Sequence, residues 1–302
     1  MALDWLIYTP DDESTNQVQH LFYVVALATN RIVSVGPTNL EIERGAIGSF
    51  GAFYEGFRPF GLADAGDSVL LVSNERLFEI NKKTFSCVEV ERPIPAFLGT
   101  HQIAYDADVT YFANAANDSI SIWDGNETVF VDVEHKKCVS RPKQPDGRYG
   151  ANNKHINSIT IHGDNVFYCL NNFKNSESEF WVFDKKTMKH DLVCEMGSMC
   201  HNIVILEDRL LSLSSGTGGV VSFDMNRGAY EGEQIVCDPK EVFLRGARRI
   251  SEREIYIGGS RELKAHPKQG VCQIGVFDLK ENSYAKRLEI SESYRINDFL
   301  LF

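Results

Sequence analysis

Five times along this chain an apolar strand ends on an acidic or amide residue, and that repeat limits the fold more than any other feature. The copies read Leu77-Phe78-Glu79-Ile80-Asn81, Ile120-Ser121-Ile122-Trp123-Asp124, Phe180-Trp181-Val182-Phe183-Asp184, Val220-Val221-Ser222-Phe223-Asp224 and Ile274-Gly275-Val276-Phe277-Asp278. Spacings of 43, 60, 40 and 54 residues leave room each time for four short strands and their loops. Hairpin turns follow, as in Asp184-Lys185-Lys186-Thr187, because Asp and Asn side chains bond backbone groups two residues on. A second pattern precedes each copy: two apolar strands around an acidic turn, at 62–67 and 69–72, 103–108 and 109–114, 159–164 and 166–168, 203–208 and 210–213, with a weaker one at 247–252 and 255–258. Helical periodicity is absent over any long window, while β-branched and aromatic residues dominate. The chain reads as repeated four-stranded units.

The termini supply one more unit. Residues 295–302 match the first strand of a unit, 4–10 the second, and 21–28 and 32–35 the third and fourth. A unit drawn from both ends closes a ring and pairs strand edges that would otherwise lie open. The expectation is an all-β fold, a six-bladed β-propeller forming a single domain over 1–302, with N- and C-terminal strands closing one shared blade.

With 43% hydrophobic and 11% aromatic residues among 302, the chain has ample material for a core and is not disordered. Its best apolar run, 21–28, is far short of the roughly 20 residues a spanning helix needs. A net charge of −11 argues against nucleic acid as a partner. Residues 1–10 have no basic stretch of a signal peptide, and seven cysteines occur without a C-x-x-C pair, so a cytoplasmic location is expected. The sequons at Asn117 and Asn126 then read as incidental.

Aligning the units on their first apolar residue sets the register of the innermost strands. Two positions earlier stand Phe60, His101, Asn157, His201, Arg245 and Asn297, with His155 two residues before Asn157 on the same strand face. One mouth is thereby expected to gather histidines, amides and an arginine. His101, His201 and His155 are the candidate general acid/base residues; Arg245 is the charge clamp, and Asn157 and Asn297 are orienting groups. Phe60, Arg148 and Lys154 complete the candidate substrate contacts. A divalent metal on His101, His155 and His201 is the alternative reading of the histidines, and plain structural roles are the third. Cys200 is the one candidate thiol, and Ser214-Ser215-Gly216-Thr217-Gly218-Gly219 reads as a tight connection because no helix follows it. The long segments 36–56 and 136–154 fall on the same face as the mouth. Segment 136–154 carries six basic residues against Asp146 alone, and with Arg245, Arg248 and Arg261 it suits a small anion.

In this blade pattern the chain resembles six-bladed propellers of the gluconolactonase/regucalcin-like and NHL types. Leu244-Arg245-Gly246 and Gly258-Gly259-Ser260-Arg261 also look like elements of bacterial propeller proteins. The gluconolactonase resemblance implies a divalent cation on the axis, held by a glutamate, asparagines and an aspartate. Asn157 and Asn297 match the amides, whereas His101 and His201 occupy ring positions where no Asp or Glu stands. Two functions follow from these residues. One is binding, with or without a hydrolase- or lyase-type transformation, of a small polar anionic metabolite. The other is a non-catalytic propeller that docks a protein partner on loops 36–56, with Phe53, Tyr54 and Phe57, and 136–154.

Overall fold

The computed structural model describes residues 4–11, 23–28, 31–33, 41–42, 45–46, 59–73, 76–82, 87–90, 99–141, 154–173, 176–260, 272–290 and 295–301. Side chains are described for most of these from Phe60 onward and, in the last segment, for Asp298. Arg148, Arg261, Phe53, Tyr54, Phe57 and most of loops 36–56 and 136–154 lie outside the described residues. The chain divides into two compact units, one of Met1–Val90 with Lys240–Phe302 and one of Glu91–Pro239.

In the first unit, β1 (Asp4–Asp11), β2 (Tyr23–Ala28) and β3 (Arg31–Val33) join β27 (Arg295–Leu301) in the order β27-β1-β2-β3. A two-stranded ribbon, β4 (Glu41–Ile42) with β5 (Gly45–Ala46), falls in a stretch the sequence suggested was all loop. The next sheet takes β6 (Pro59–Ala65), β7 (Ser68–Ser73), β8 (Arg76–Asn81) and β9 (Cys87–Val90) in chain order.

The second unit holds three sheets, again in chain order. Its first has β10 (Thr100–Asp106), β11 (Val109–Asn114), β12 (Ser119–Trp123), β13 (Thr128–Asp132) and a fifth strand, β14 (Lys137–Val139). Its second has β15 (Ile156–His162), β16 (Asn165–Leu170), β17 (Ser178–Asp184) and β18 (His190–Met196). Its third has β19 (Cys200–Leu206), β20 (Arg209–Ser214), β21 (Gly219–Asp224) and β22 (Ala229–Ile235). The first unit is completed by β23 (Phe243–Arg249), β24 (Glu254–Ser260), β25 (Cys272–Asp278) and β26 (Ser283–Ile290). Repeated antiparallel meanders of this kind are propeller blades, and the chain has an all-β propeller fold. Five such sheets carry described side chains; the sheet built from the two termini is described mainly by its backbone.

The acid-terminated strands end as their chemistry requires. Asp184 accepts from the Lys186 and Thr187 amides at 3.0 and 2.7 Å, and Asp278 from Lys280 and Glu281 at 2.9 and 3.0 Å. Hydrogen bonds hold both carboxyls below their ordinary range, led by the Thr187 amide at Asp184 and by the Arg253 guanidinium, which donates to Asp278 at 2.8 Å.

Packing explains the unbroken apolar runs. In β16, Val166, Tyr168 and Leu170 face a cluster with Ile120, Val131 and Ile156, while Phe167 and Cys169 face another with Cys200, Ile203 and Val221. Alternate side chains thus enter different cores, and the strand is apolar on both faces. Each fully buried Leu, Phe or Val contributes about 1.5–3 kcal/mol.

Candidate binding site at the inner-strand entries

Within the second unit the innermost strands β10, β15 and β19 lie side by side; in the first, β23, β27 and β6 do. Every one of them breaks register near its start. The unpaired residue is Phe60 in β6, His101 in β10, Asn157 in β15, Asn202 in β19 and Arg245 in β23, and Asn297-Asp298 together face Thr9 in β27. A bulge re-aims side chains and releases a backbone N–H from the ladder. Sequence alignment therefore located the bulges, missing by one residue in β19, where Asn202 takes the position expected of His201.

The residue just after the aligned position, or its equivalent, captures an amide of the neighbouring inner strand. Gln102 accepts from the Ile159 amide at 2.8 Å, Ser158 from Asn202 at 2.7 Å and Asp298 from Leu62 at 3.0 Å. Each side chain ties its inner strand to the next. Sequence reasoning missed this role; the visible signal was a polar residue in an otherwise apolar strand start. Asn157 joins the same work: its amide nitrogen donates to the Cys200 carbonyl at 2.9 Å, and its oxygen accepts from Ser158 at 3.0 Å.

Two of the three histidines meet. His101 and His155 contact edge to face, centroids 4.8 Å apart at 88°, and Phe173 lies against His155 at 4.7 Å. His155 is 7% exposed and has φ of 58°, while Asn172 and Phe173 have φ of 55° and 52°. Left-handed backbone at bulky residues costs about 1–3 kcal/mol each and persists only where surroundings hold it. Here the Asn171 amide donates to the His155 carbonyl at 3.1 Å and the Asn172 amide to the Lys154 carbonyl at 2.8 Å. From the β11–β12 connection, the Asp118 carboxylate accepts from the Lys154 amide at 2.6 Å and the Ile156 amide at 3.1 Å. Burial raises the Asp118 carboxyl above its usual range despite those amides.

His201 is held differently. Its Nδ1 lies 2.9 Å from the Met199 carbonyl and 2.8 Å from Ser215 Oγ. A carbonyl oxygen only accepts, so this geometry assigns a proton to Nδ1.

The remaining candidates are placed as follows. Arg245 lies over the Phe243 ring, 5.4 Å from its centroid, in a cation–π contact. Phe60 sits half-buried at the start of β6. Asn297 lies in β27, and its side chain is outside the described residues. Lys154 pairs with Glu179 at 2.5 Å, and Lys136 stacks over Trp181 at 3.9 Å, so two cations of the expected basic island already have partners. Arg248 donates to the Leu62 carbonyl at 2.9 Å and lies 3.6 Å from Asp298, which makes it a structural tie and not an anion contact. Cys200 is fully buried and burial pushes its thiol up to about 12, which rules out the reactive-thiol reading. Gly218 has φ of 77°, and a Cβ there would strike the Cys237 carbonyl; glycine serves the turn at 214–219.

The metal reading does not fit the described residues. Among them, one group of three or more His, Cys, Asp or Glu has its ligand atoms within 4.8 Å of one another, the exposed trio Asp132, Glu134 and His135. Asp132 is occupied there by the Glu134 and His135 amides and by the His135 ring at 2.8 Å. No helix among the described residues is long and apolar enough to cross a membrane.

No family model matches the sequence, and no curated protein matches it. Solved structures do match it in fold. A chain in a nidogen/laminin complex is 11% identical with a TM-score of 0.66, covering 99% of this chain and 98% of that one. A Bacteroides caccae protein of unknown function is 12% identical with a TM-score of 0.61 and 99% coverage of both. A 6-phosphogluconolactonase candidate from Bacteroides fragilis is 10% identical with a TM-score of 0.58, covering 99% and 98%. At such identity the likeness defines the class of protein, a β-propeller, and goes no further.

Proposed function

We propose that this propeller binds a small polar, anionic metabolite at the inner-strand entries of its second unit. The observation that carries the reading is the set of histidines at these strand entries: His101 and His155 meet edge to face, and His201 is held through Nδ1 by Met199 and Ser215. An imidazole held at a strand entry can hydrogen-bond a polar ligand or act as general acid or base in a hydrolase- or lyase-type step. The fold likeness to a 6-phosphogluconolactonase candidate names the first compounds to try, phosphorylated sugar lactones and their acids. We further propose that the repeated sheets make one six-bladed domain over 1–302, its last blade shared by the two termini; the order β27-β1-β2-β3 supports this.

Calorimetric titration of that panel tests the binding reading. Binding that disappears on joint His101→Ala and His201→Ala substitution is expected. No binding by any member, or equal binding by the double variant, overturns it.

A further inference from the structure

We propose that Asp118 is the positioning residue of this site, its carboxylate setting the left-handed turn that presents His155 to His101. The inference rests on the binding reading above. Asp118 belongs to the β11–β12 connection of one sheet, and the amides it accepts, Lys154 and Ile156, flank His155 at the entry to the next. The two amides bracket the one residue between them, whose φ is 58°. The Asp118 backbone is anchored too, because its carbonyl accepts from the Val133 amide at 3.2 Å. Opposite it, the 171–173 turn closes on His155 with its own amides and with the Phe173 ring. The carboxylate therefore governs the backbone from which one imidazole of the pair projects. It is not itself a catalytic group.

Aromatic NMR of Asp118→Ala and Asp118→Asn separates positioning from general support. In Asp118→Ala the ring signals of His101 and His155 should move, while those of His190, on β18 of the same sheet, stay in place. Asp118→Asn keeps one carbonyl acceptor for the two amides and should fall between Ala and wild type. Anion affinity should drop roughly tenfold in Asp118→Ala, the fold-change expected when one hydrogen bond from a displaced imidazole to the anion is lost. His101 and His155 signals superposing on wild type in Asp118→Ala overturn the proposal. Should that variant not fold, Asp118→Asn decides: faster amide exchange at Lys154 and Ile156 with moved His155 signals supports it, and unchanged exchange with unmoved signals overturns it. Wild-type protein that binds no anion while the His155 signals still move in the variants removes the function reading and leaves this one standing.

Discussion

Two histidines of the second unit show how a neighbour decides what an imidazole does. His201 holds a proton on Nδ1 toward a carbonyl, whereas His190 is wedged beside Tyr168, its Nδ1 3.0 Å from the hydroxyl, with Phe183 tilted over it at 5.0 Å. Burial, then the nearby Lys136 cation, pulls the His190 pKa down to about 4. An unfolded chain takes up that proton near the ordinary value of about 6.5. Between those two values the unfolded state holds more protons, so stability falls as pH is lowered through that window and levels off below it. Urea midpoints measured across the window should show the slope, and His190→Gln should flatten it. Asn157 teaches the complementary lesson. Its residue type and register suggested a ligand donor, but its amide nitrogen bonds the next blade and its oxygen takes the hydroxyl of Ser158 on its own strand. Asn157→Ala should cost about 0.5–1.5 kcal/mol in chemical denaturation, the worth of one hydrogen bond, because the Asn171 side-chain amide still donates to the Cys200 carbonyl at 3.1 Å.

At the scale of strands, the repeated bulge is what makes inner strands communicate. Gln102, Ser158 and Asp298 each capture an amide of the next inner strand. Only Asp298 brings a charge; it is 1% exposed and lies 3.6 Å from Arg248, itself 28% exposed. Loss of this carboxylate leaves Arg248 able to rehydrate but the Leu62 amide bare. Asp298→Ala should therefore lower stability by about 1.5–3 kcal/mol, and Asp298→Asn by less, because one acceptor for Leu62 survives. Equal losses for the two variants, read from urea unfolding, would show that the amide bond is not what matters. The strand pattern and the Asx turns were legible in the sequence because both are local. The partners of the bulged residues were not, because Leu62 and Asp298 stand 236 residues apart.

For the molecule as a whole, the terminal sheet is the element most exposed to failure. β27 pairs with β1 from Leu6↔Leu301 to Asp11↔Arg295, so a chain lacking 295–302 presents the bare edge of β1. An unpaired edge is a template for another chain. Deletion of 295–302 should replace a single cooperative unfolding transition with a broadened one and produce self-association in sedimentation velocity; a monomer with unchanged unfolding would refute that. By itself the sequence determined the all-β class, the four-stranded repeat, the use of both termini in one sheet and the start of each inner strand. Alternation of period two and side-chain-closed turns act over a few residues and need no distant partner. Only the tertiary structure decided that Asn157 and Arg248 tie blades together, that His101 meets His155, and that Asp118 holds the turn between them. A bulge inserts one residue into a period of two, so each strand entry re-aims its side chains according to what the neighbouring strand offers.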